Sequence, residues 1–391
     1  MKHLVTGTAF VAVLAFSPSA FALDAQGFID RYAAFSKSVG QKFSYGEVTQ
    51  SGDGFTVTNP SWTIADVPEI KGEKLVFSNV TETASGGFSI GNMTAEAISL
   101  SGEGVTATFG NFLMNDLHIP GENETDPIKK VMYYSRAEIN NVNVTFAGQN
   151  VFSMNQFAAD VSEYSKETPM DMKSSGDMAF DLSVIPDPQF KQTMAALGYD
   201  GKFTGQIILN ATWNLSNGDM DITQYDMKVD NVGTLSFPIS IGGYTIETLL
   251  KMQEESAKMN EIASAAEREA ATMKMFSDLK SIAFKAMTIR FTDDSITNRG
   301  LKMASTIMGQ PADQIAQGAP FMIGAAMGQL NMPELTQKVS AAVGAFLQNP
   351  KNIAITVQPN EPISAGNFDP SLANNPPALI KLLNLDVKAN Q

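Results

Sequence analysis

The sequence predicts an α+β fold: a curved, mostly antiparallel β-sheet (a meander) with a long helix and C-terminal helices packed on it. Three observations carry that expectation. From Gln41 to about Ile241 the apolar period is two, and the segments are short and bounded by Gly, Asn, Asp or Pro. Near Tyr244 the pattern changes to about forty residues without Gly or Pro, rich in Ala, Glu, Lys and Met. Charged residues make up only 17%, so Gly, Asn, Ser and Thr fill the polar positions, as on the wet faces of sheets. The organisation reads as a signal peptide over 1–22, a β-rich domain with a short N-terminal helix over 23–243, and a helical region with a long helix and returning strands over 244–391.

The first segment is read from its three parts. Met1-Lys2-His3 is a basic start, Leu4 to Phe16 an apolar run and Ala20-Phe21-Ala22 a small-x-small cleavage site. That run of 13 residues falls short of the roughly 20 a membrane span needs, so the mature chain is expected to be exported, periplasmic and without a transmembrane anchor. The chain has no cysteine, which rules out disulfides, thiol nucleophiles and thiolate metal sites and suits a bacterial periplasm.

Asp24 is positioned to cap a helix whose Phe28, Ile29, Tyr32, Phe35 and Val39 share one face before Gly40. Phe55 to Thr58, Val105 to Phe109 and Met178 to Val184 alternate as half-buried strands. Gln206 to Val229 reads as a hairpin turning at Asn217-Gly218-Asp219. Asn79-Val80-Thr81 with Phe88-Ser89-Ile90 is echoed by Asn143-Val144-Thr145 with Phe152-Ser153-Met154, which suggests two strand-turn-strand units.

In the long helix Leu249, Met252, Ser256, Met259, Ala263, Ala266, Ala270 and Met273 form a thin heptad-like seam. Thr288 to Phe291 reads as a strand, with Asp293 or Asp294 capping a helix over Ile296 to Met308. Helices follow over Gln314 to Leu330, interrupted by Pro320, and from Pro333 to Leu347. The chain closes with a strand over Ile353 to Val357, a short helix near Ala378 to Leu383 and a strand at Leu385-Asp386-Val387.

Candidate chemistry is sparse. After export the single histidine is His118, so no Cys-His pair forms and a serine triad has one base to draw on. Asp293-Asp294 is explained by helix capping, Glu122, Glu124 and Asp126 by a solvated loop, and Asp219 and Asp221 by a hairpin turn. No residue is assigned a catalytic, cofactor-binding or metal role, and no cofactor is expected. Gly324 to Gly328 has a small-xxx-small spacing that predicts close helix contact inside a domain; Phe321, Met322, Ile323 and Leu330 around it are core if buried and a lipid or partner site if exposed. A net charge of −14 argues against nucleic acid as a partner and against electrostatic docking on an anionic membrane.

Four stretches carry a resemblance: Thr292 to Arg299, Ala342 to Lys351, Ile353 to Pro362, and Leu382 to Val387. Over mostly its last hundred residues the chain resembles uncharacterised periplasmic proteins of alphaproteobacteria that are distantly similar to AsmA-like envelope proteins. The resemblance implies a non-enzymatic periplasmic protein, since the AsmA-like group is associated with lipid movement and outer-membrane homeostasis through long apolar β-grooves. No functional residue carries over. The leading expectation is therefore a protein that holds a lipid or another apolar ligand in cell-envelope homeostasis, its flexible Met side chains lining an adaptable pocket. The alternatives are an interaction protein whose long helix binds an envelope partner and, third, a carboxylate-based hydrolase.

Overall fold

The computed structural model describes residues 24–64, 67–163, 165, 168–260, 264, 266–267, 269–271, 280–328, 332–364, 366, 371–372 and 375–391. The signal-peptide reading over 1–22 lies outside the described residues, as do Ala263 and Met273 of the helical seam.

The chain forms an α+β fold on one antiparallel sheet laid down nearly in sequence order. Its strands are β1 (Lys42–Ser44), β2 (Val48–Ser51), β3 (Gly54–Thr58), β4 (Ser61–Thr63), β5 (Ile70–Lys71), β6 (Lys74–Glu82), β7 (Phe88–Gly102), β8 (Val105–Ile119), β9 (Arg136–Phe146), β10 (Gln149–Val161) and β11 (Met170–Asp181). They continue with β12 (Lys202–Asn214), β13 (Asp219–Val229), β14 (Gly233–Ser236), β15 (Ile239–Gly242), β16 (Ala283–Asp293), β17 (Asn352–Val357), β18 (Ile363–Ser364) and β19 (Leu385–Ala389). β2, β3 and β6 pair in turn, and from β6 to β13 each strand pairs with the next. β14 and β15 share one edge of β13, β16 runs along both, β17 and β18 share the next edge, and β19 pairs with β17. Strands from either side of position 243 thus belong to the same sheet.

The curvature has a local cause. At two places a glycine lies between left-handed residues on both neighbouring strands, in the rows Asn79–Gly91–Asp116 and Ala97–Gly110–Asn141, where the ladder pairing is interrupted. Left-handed residues inside an antiparallel ladder bend and twist it. The glycines let the strands close: a Cβ on Gly91 would stand 2.9 Å from the Cβ of Asn79, and one on Gly110 3.0 Å from that of Asn141.

Helix α1 (Ala25–Ser38) is capped by Asp24, whose carboxylate accepts from the Gln26 amide at 3.1 Å, and it lays its apolar stripe into the concave side of β2 to β8. Phe28 is fully buried there, stacked on Phe55 at 4.4 Å and edge-on to Phe77 and Phe88 at 4.8 and 5.0 Å. A second core gathers Val131, Val161, Met170, Trp213 and Leu215 beneath Ile246 of α3 (Ile246–Asn260). α3 is the described start of the expected long helix; Ala266 and Ala270 are also helical. The Gly- and Pro-free run does not stay helical to its end, because Ala283 and Phe284 already pair as strand with Gly242 and Ile241. Pairing with an open strand edge overrides a weak local helix preference.

Other differences are local. Met178 to Val184 is not one strand: β11 stops at Asp181, whose carboxylate accepts from the Ser183 amide at 3.1 Å and turns Leu182–Val184 into a 3-10 segment. Helix α2 (Pro188–Leu197), capped by Asp187 and ended by a left-handed Gly198, interrupts the region read as β throughout. Helices α4 (Ile296–Met308), α5 (Ala312–Met327) and α6 (Pro333–Gln348) connect β16 to β17, and α7 (Pro376–Leu383) precedes β19. Between α5 and α6 a Cβ on Gly344 would stand 2.7 Å from Cγ of Pro320 and one on Gly324 3.7 Å from Oγ of Ser340, whereas a Cβ on Gly328 would have nothing within 4 Å.

Candidate functional site: an apolar groove

The two faces of the sheet differ in chemistry. Residues directly opposite one another on antiparallel strands point to the same side. One row reads Phe112, Ile139, Phe157, Gly176, Ile207 and Met227 from β8 to β13, and continues through Leu235, Phe291 and Ile353. The parallel row reads Met114, Ala137, Ala159, Ser174, Leu209 and Tyr225. The stretch from β8 to β13 alone, five interstrand spacings of ~4.8 Å, runs about 24 Å across the sheet. The reverse face carries polar pairs: Arg136 bridges Asp160 at 2.6 Å and Glu138 at 2.9 Å, Gln206 donates to Asp177 at 3.0 Å, and Asn210 donates to Gln224 at 2.7 Å.

At the α1 end the apolar face deepens into a cavity of about 490 Å³, walled by Tyr32 and Phe35 of α1, by Val39 just after it, by Trp62, Ile98, Phe112 and Met114 from the sheet, and by Gln253 of α3. Met132 forms part of its wall and also of a neighbouring hollow of about 250 Å³ under Trp213, Met170, Met172 and Tyr244, so the two spaces adjoin. Polar tips are tied off at the walls, with the Trp213 indole N–H donating to the Tyr244 carbonyl at 2.6 Å. Burial pushes the Tyr32 phenol up to about 12, against a smaller opposite pull from Trp62, and raises Tyr134 and Tyr244 in the same direction. These phenols stay neutral at ordinary pH, which preserves the apolar character of the lining. Such a space, mostly apolar with a few polar tips, suits a hydrophobic ligand.

The residues singled out in sequence serve local structure. The His118 ring Nε2 lies 3.0 Å from the Lys129 carbonyl and fastens the loop after β8. Glu124 accepts from the Thr125 and Asp126 amides, the latter holding its carboxyl below the usual carboxylate range, while Glu122 meets Arg31 at 3.3 Å. Asp219 pairs with Lys285 at 2.5 Å, and Asp221 accepts from the Ser240 hydroxyl. Asp293 accepts from the Thr297 amide at 2.8 Å and so caps α4, whereas Asp294 accepts from the Asn231 amide at 2.9 Å. Among the described residues no group of three or more His, Cys, Asp or Glu is placed to hold a metal ion, and no helix is long and apolar enough to cross a membrane.

The apolar stretch around Gly324 divides between the two expectations. Ala316 and Ala319 are buried, while Phe321 is 81% and Met322 57% exposed; Leu330 lies outside the described residues. The resemblance implies an apolar groove, but the sequence does not identify the residues that wall it. Its walls come from positions as distant as Tyr32 and Met132, which no local period connects.

No curated protein matches the chain. A family model described as "Uncharacterized protein" matches residues 226–390, the part that begins in β13 and carries the sheet to its last strand.

Proposed function

We propose that this chain is an exported, non-enzymatic periplasmic protein that holds a lipid or another apolar ligand in the groove, in the service of cell-envelope homeostasis. The observation that carries the reading is the apolar cross-strand surface leading into a 490 Å³ cavity beneath α1 and α3. Burying apolar ligand surface there is worth about 25 cal/mol per Å², so a single long acyl chain supplies ample driving force. The resemblance to AsmA-like envelope proteins, with their long apolar β-grooves, supports the same reading, as does the export signal read from residues 1–22. An interior packed solid, which the pure interaction reading requires, is not what surrounds Trp62 and Met114.

The test uses detergent-free purified protein and a fluorescent fatty-acid analogue. Met114→Glu, which sets a charge against the cavity, is expected to weaken binding at least tenfold, while Met114→Leu retains it. Equal binding by a folded Met114→Glu variant would refute the site. A second reading, docking of an envelope partner protein, is favoured by the exposed Phe321 and Met322 on α5. It predicts that a photocrosslinker at position 321 captures one periplasmic protein and that Met322→Asp abolishes the capture; a crosslink unaffected by that change counts against it.

A further inference from the structure

A separate hollow, of about 270 Å³, lies on the polar side of the sheet between β16, β17 and β19. Its floor follows from register. Arg290, Ala354 and Lys388 stand directly opposite one another on the three strands, so their side chains leave the same face. Ala354 contributes only a methyl group. The guanidinium and the ammonium are thereby left with open space between them, their Cα atoms about 9.6 Å apart at two interstrand spacings. Thr288, Thr356 and Asp386 form the adjoining row. Lys338 reaches in from α6 and meets Asp386 at 3.1 Å, and Lys388 meets the same carboxylate at 3.0 Å.

The charges do not balance. Lys338 and Lys388 share Asp386, and their hydrogen bonds hold its carboxyl below the usual carboxylate range. Arg290 is half-buried, yet among the described residues its side chain has neither an ion pair nor a hydrogen bond. At the rim Asn352 donates to the Gln391 oxygen at 2.8 Å. Even counting a carboxylate at Gln391, three cations face two anions, in a chain whose net charge is −14. Partly burying an unpaired cation costs free energy. The fork of guanidinium donors, with an ammonium on the opposite wall, matches a tetrahedral oxyanion.

We propose that this hollow binds a phosphate group, carried either by a small free phosphate or by the headgroup of an anionic phospholipid. The site lies on the reverse side of the sheet from the groove, so it stands or falls independently of the apolar-ligand reading.

The experiment pairs calorimetric titration of the purified chain with inorganic phosphate, at fixed ionic strength, with flotation on phosphatidylglycerol vesicles and on phosphatidylcholine vesicles. Arg290→Gln removes the unpaired fork, Ala354→Leu fills the floor while leaving every cation in place, and Lys173→Gln removes a distant cation of the same face. Saturable phosphate binding that falls at least tenfold in Arg290→Gln and Ala354→Leu but not in Lys173→Gln supports the site with a free phosphate. Phosphatidylglycerol binding with that same pattern, without inorganic phosphate binding, supports a headgroup. Equal weakening by all three variants, retention in Ala354→Leu, or no binding of either probe overturns the proposal. Urea midpoints of the variants establish that each is folded, and Ala354→Leu decides if Arg290→Gln is not.

Discussion

Truncating Phe28 to alanine tests whether α1 is held as a fixed wall of the cavity. The ring is fully buried and touches three other rings, Phe55, Phe77 and Phe88, at 4.4 to 5.0 Å. Removing a buried phenylalanine side chain costs about 3–5 kcal/mol. That is a large part of the 5–15 kcal/mol by which a typical domain is stable. The chain has two tryptophans, and they report separately: Trp62 packs against the α1 core and Trp213 lies in the second core. Urea unfolding followed by fluorescence in Trp213→Phe and Trp62→Phe backgrounds therefore resolves the two. Phe28→Ala is expected to lower the stability read at Trp62 by about 4 kcal/mol, and to move the Trp213 transition less, since strands along a meander contact only their neighbours. A loss below about 1 kcal/mol at Trp62 would refute the packing argument, because a residue so enclosed has no inexpensive way to be truncated.

Three further outcomes follow from other contacts. Gly344→Ala drives a Cβ to 2.7 Å from Pro320 and is expected to cost about 1–3 kcal/mol by wedging α5 from α6, whereas Gly328→Ala, with nothing within 4 Å, is neutral or slightly stabilising; thermal unfolding of both variants checks the contrast. Trp213→Phe deletes the indole bond to the Tyr244 carbonyl and is expected to cost about 1–3 kcal/mol in urea unfolding, with a cost near zero counting against a desolvated carbonyl. Glu138 is held down to about 2, first by Asn140, then by Gln156 and Arg136. A carboxylate depressed in the folded state contributes stability above its unfolded pKa and loses it as pH falls toward the folded value. The stability gap between the protein and Glu138→Gln, measured by urea unfolding, is therefore expected to be constant above about pH 5 and to shrink as pH falls toward 2.

What the sequence disclosed and what it withheld divide by range. Phe28, Ile29, Tyr32 and Phe35 announce a buried helical face because their spacing is set within one element. Asn217-Gly218-Asp219 announces its hairpin in the same way, and the two echoed segments at Asn79 and Asn143 both belong to paired antiparallel strands, β6 with β7 and β9 with β10. Helix α2 had a local signature that was passed over, Asp187-Pro188 at the start and Gly198 at the end. Of the expected small-residue pair, Gly324 faces Ser340 of α6 and Gly328 faces nothing among the described residues, while the tighter approach at Gly344 carries no such spacing, because a small residue marks a close approach only when something faces it. The cavity was illegible for a stronger reason. Trp62 on β4, Met114 on β8 and Met132 in the loop after β8 meet only through the pairing of distant strands and the path of that loop, and register is a property of pairs rather than of any one segment.

The central claim, that the groove is built to hold an apolar ligand, is tested most directly by native mass spectrometry with lipid extraction on protein purified from its own host without detergent. The account predicts a reproducible co-purifying apolar molecule, absent from a control protein purified in the same way and lost in Met114→Glu. A ligand-free mass for the folded wild-type chain at good sensitivity, or the same molecule retained in Met114→Glu, would contradict it.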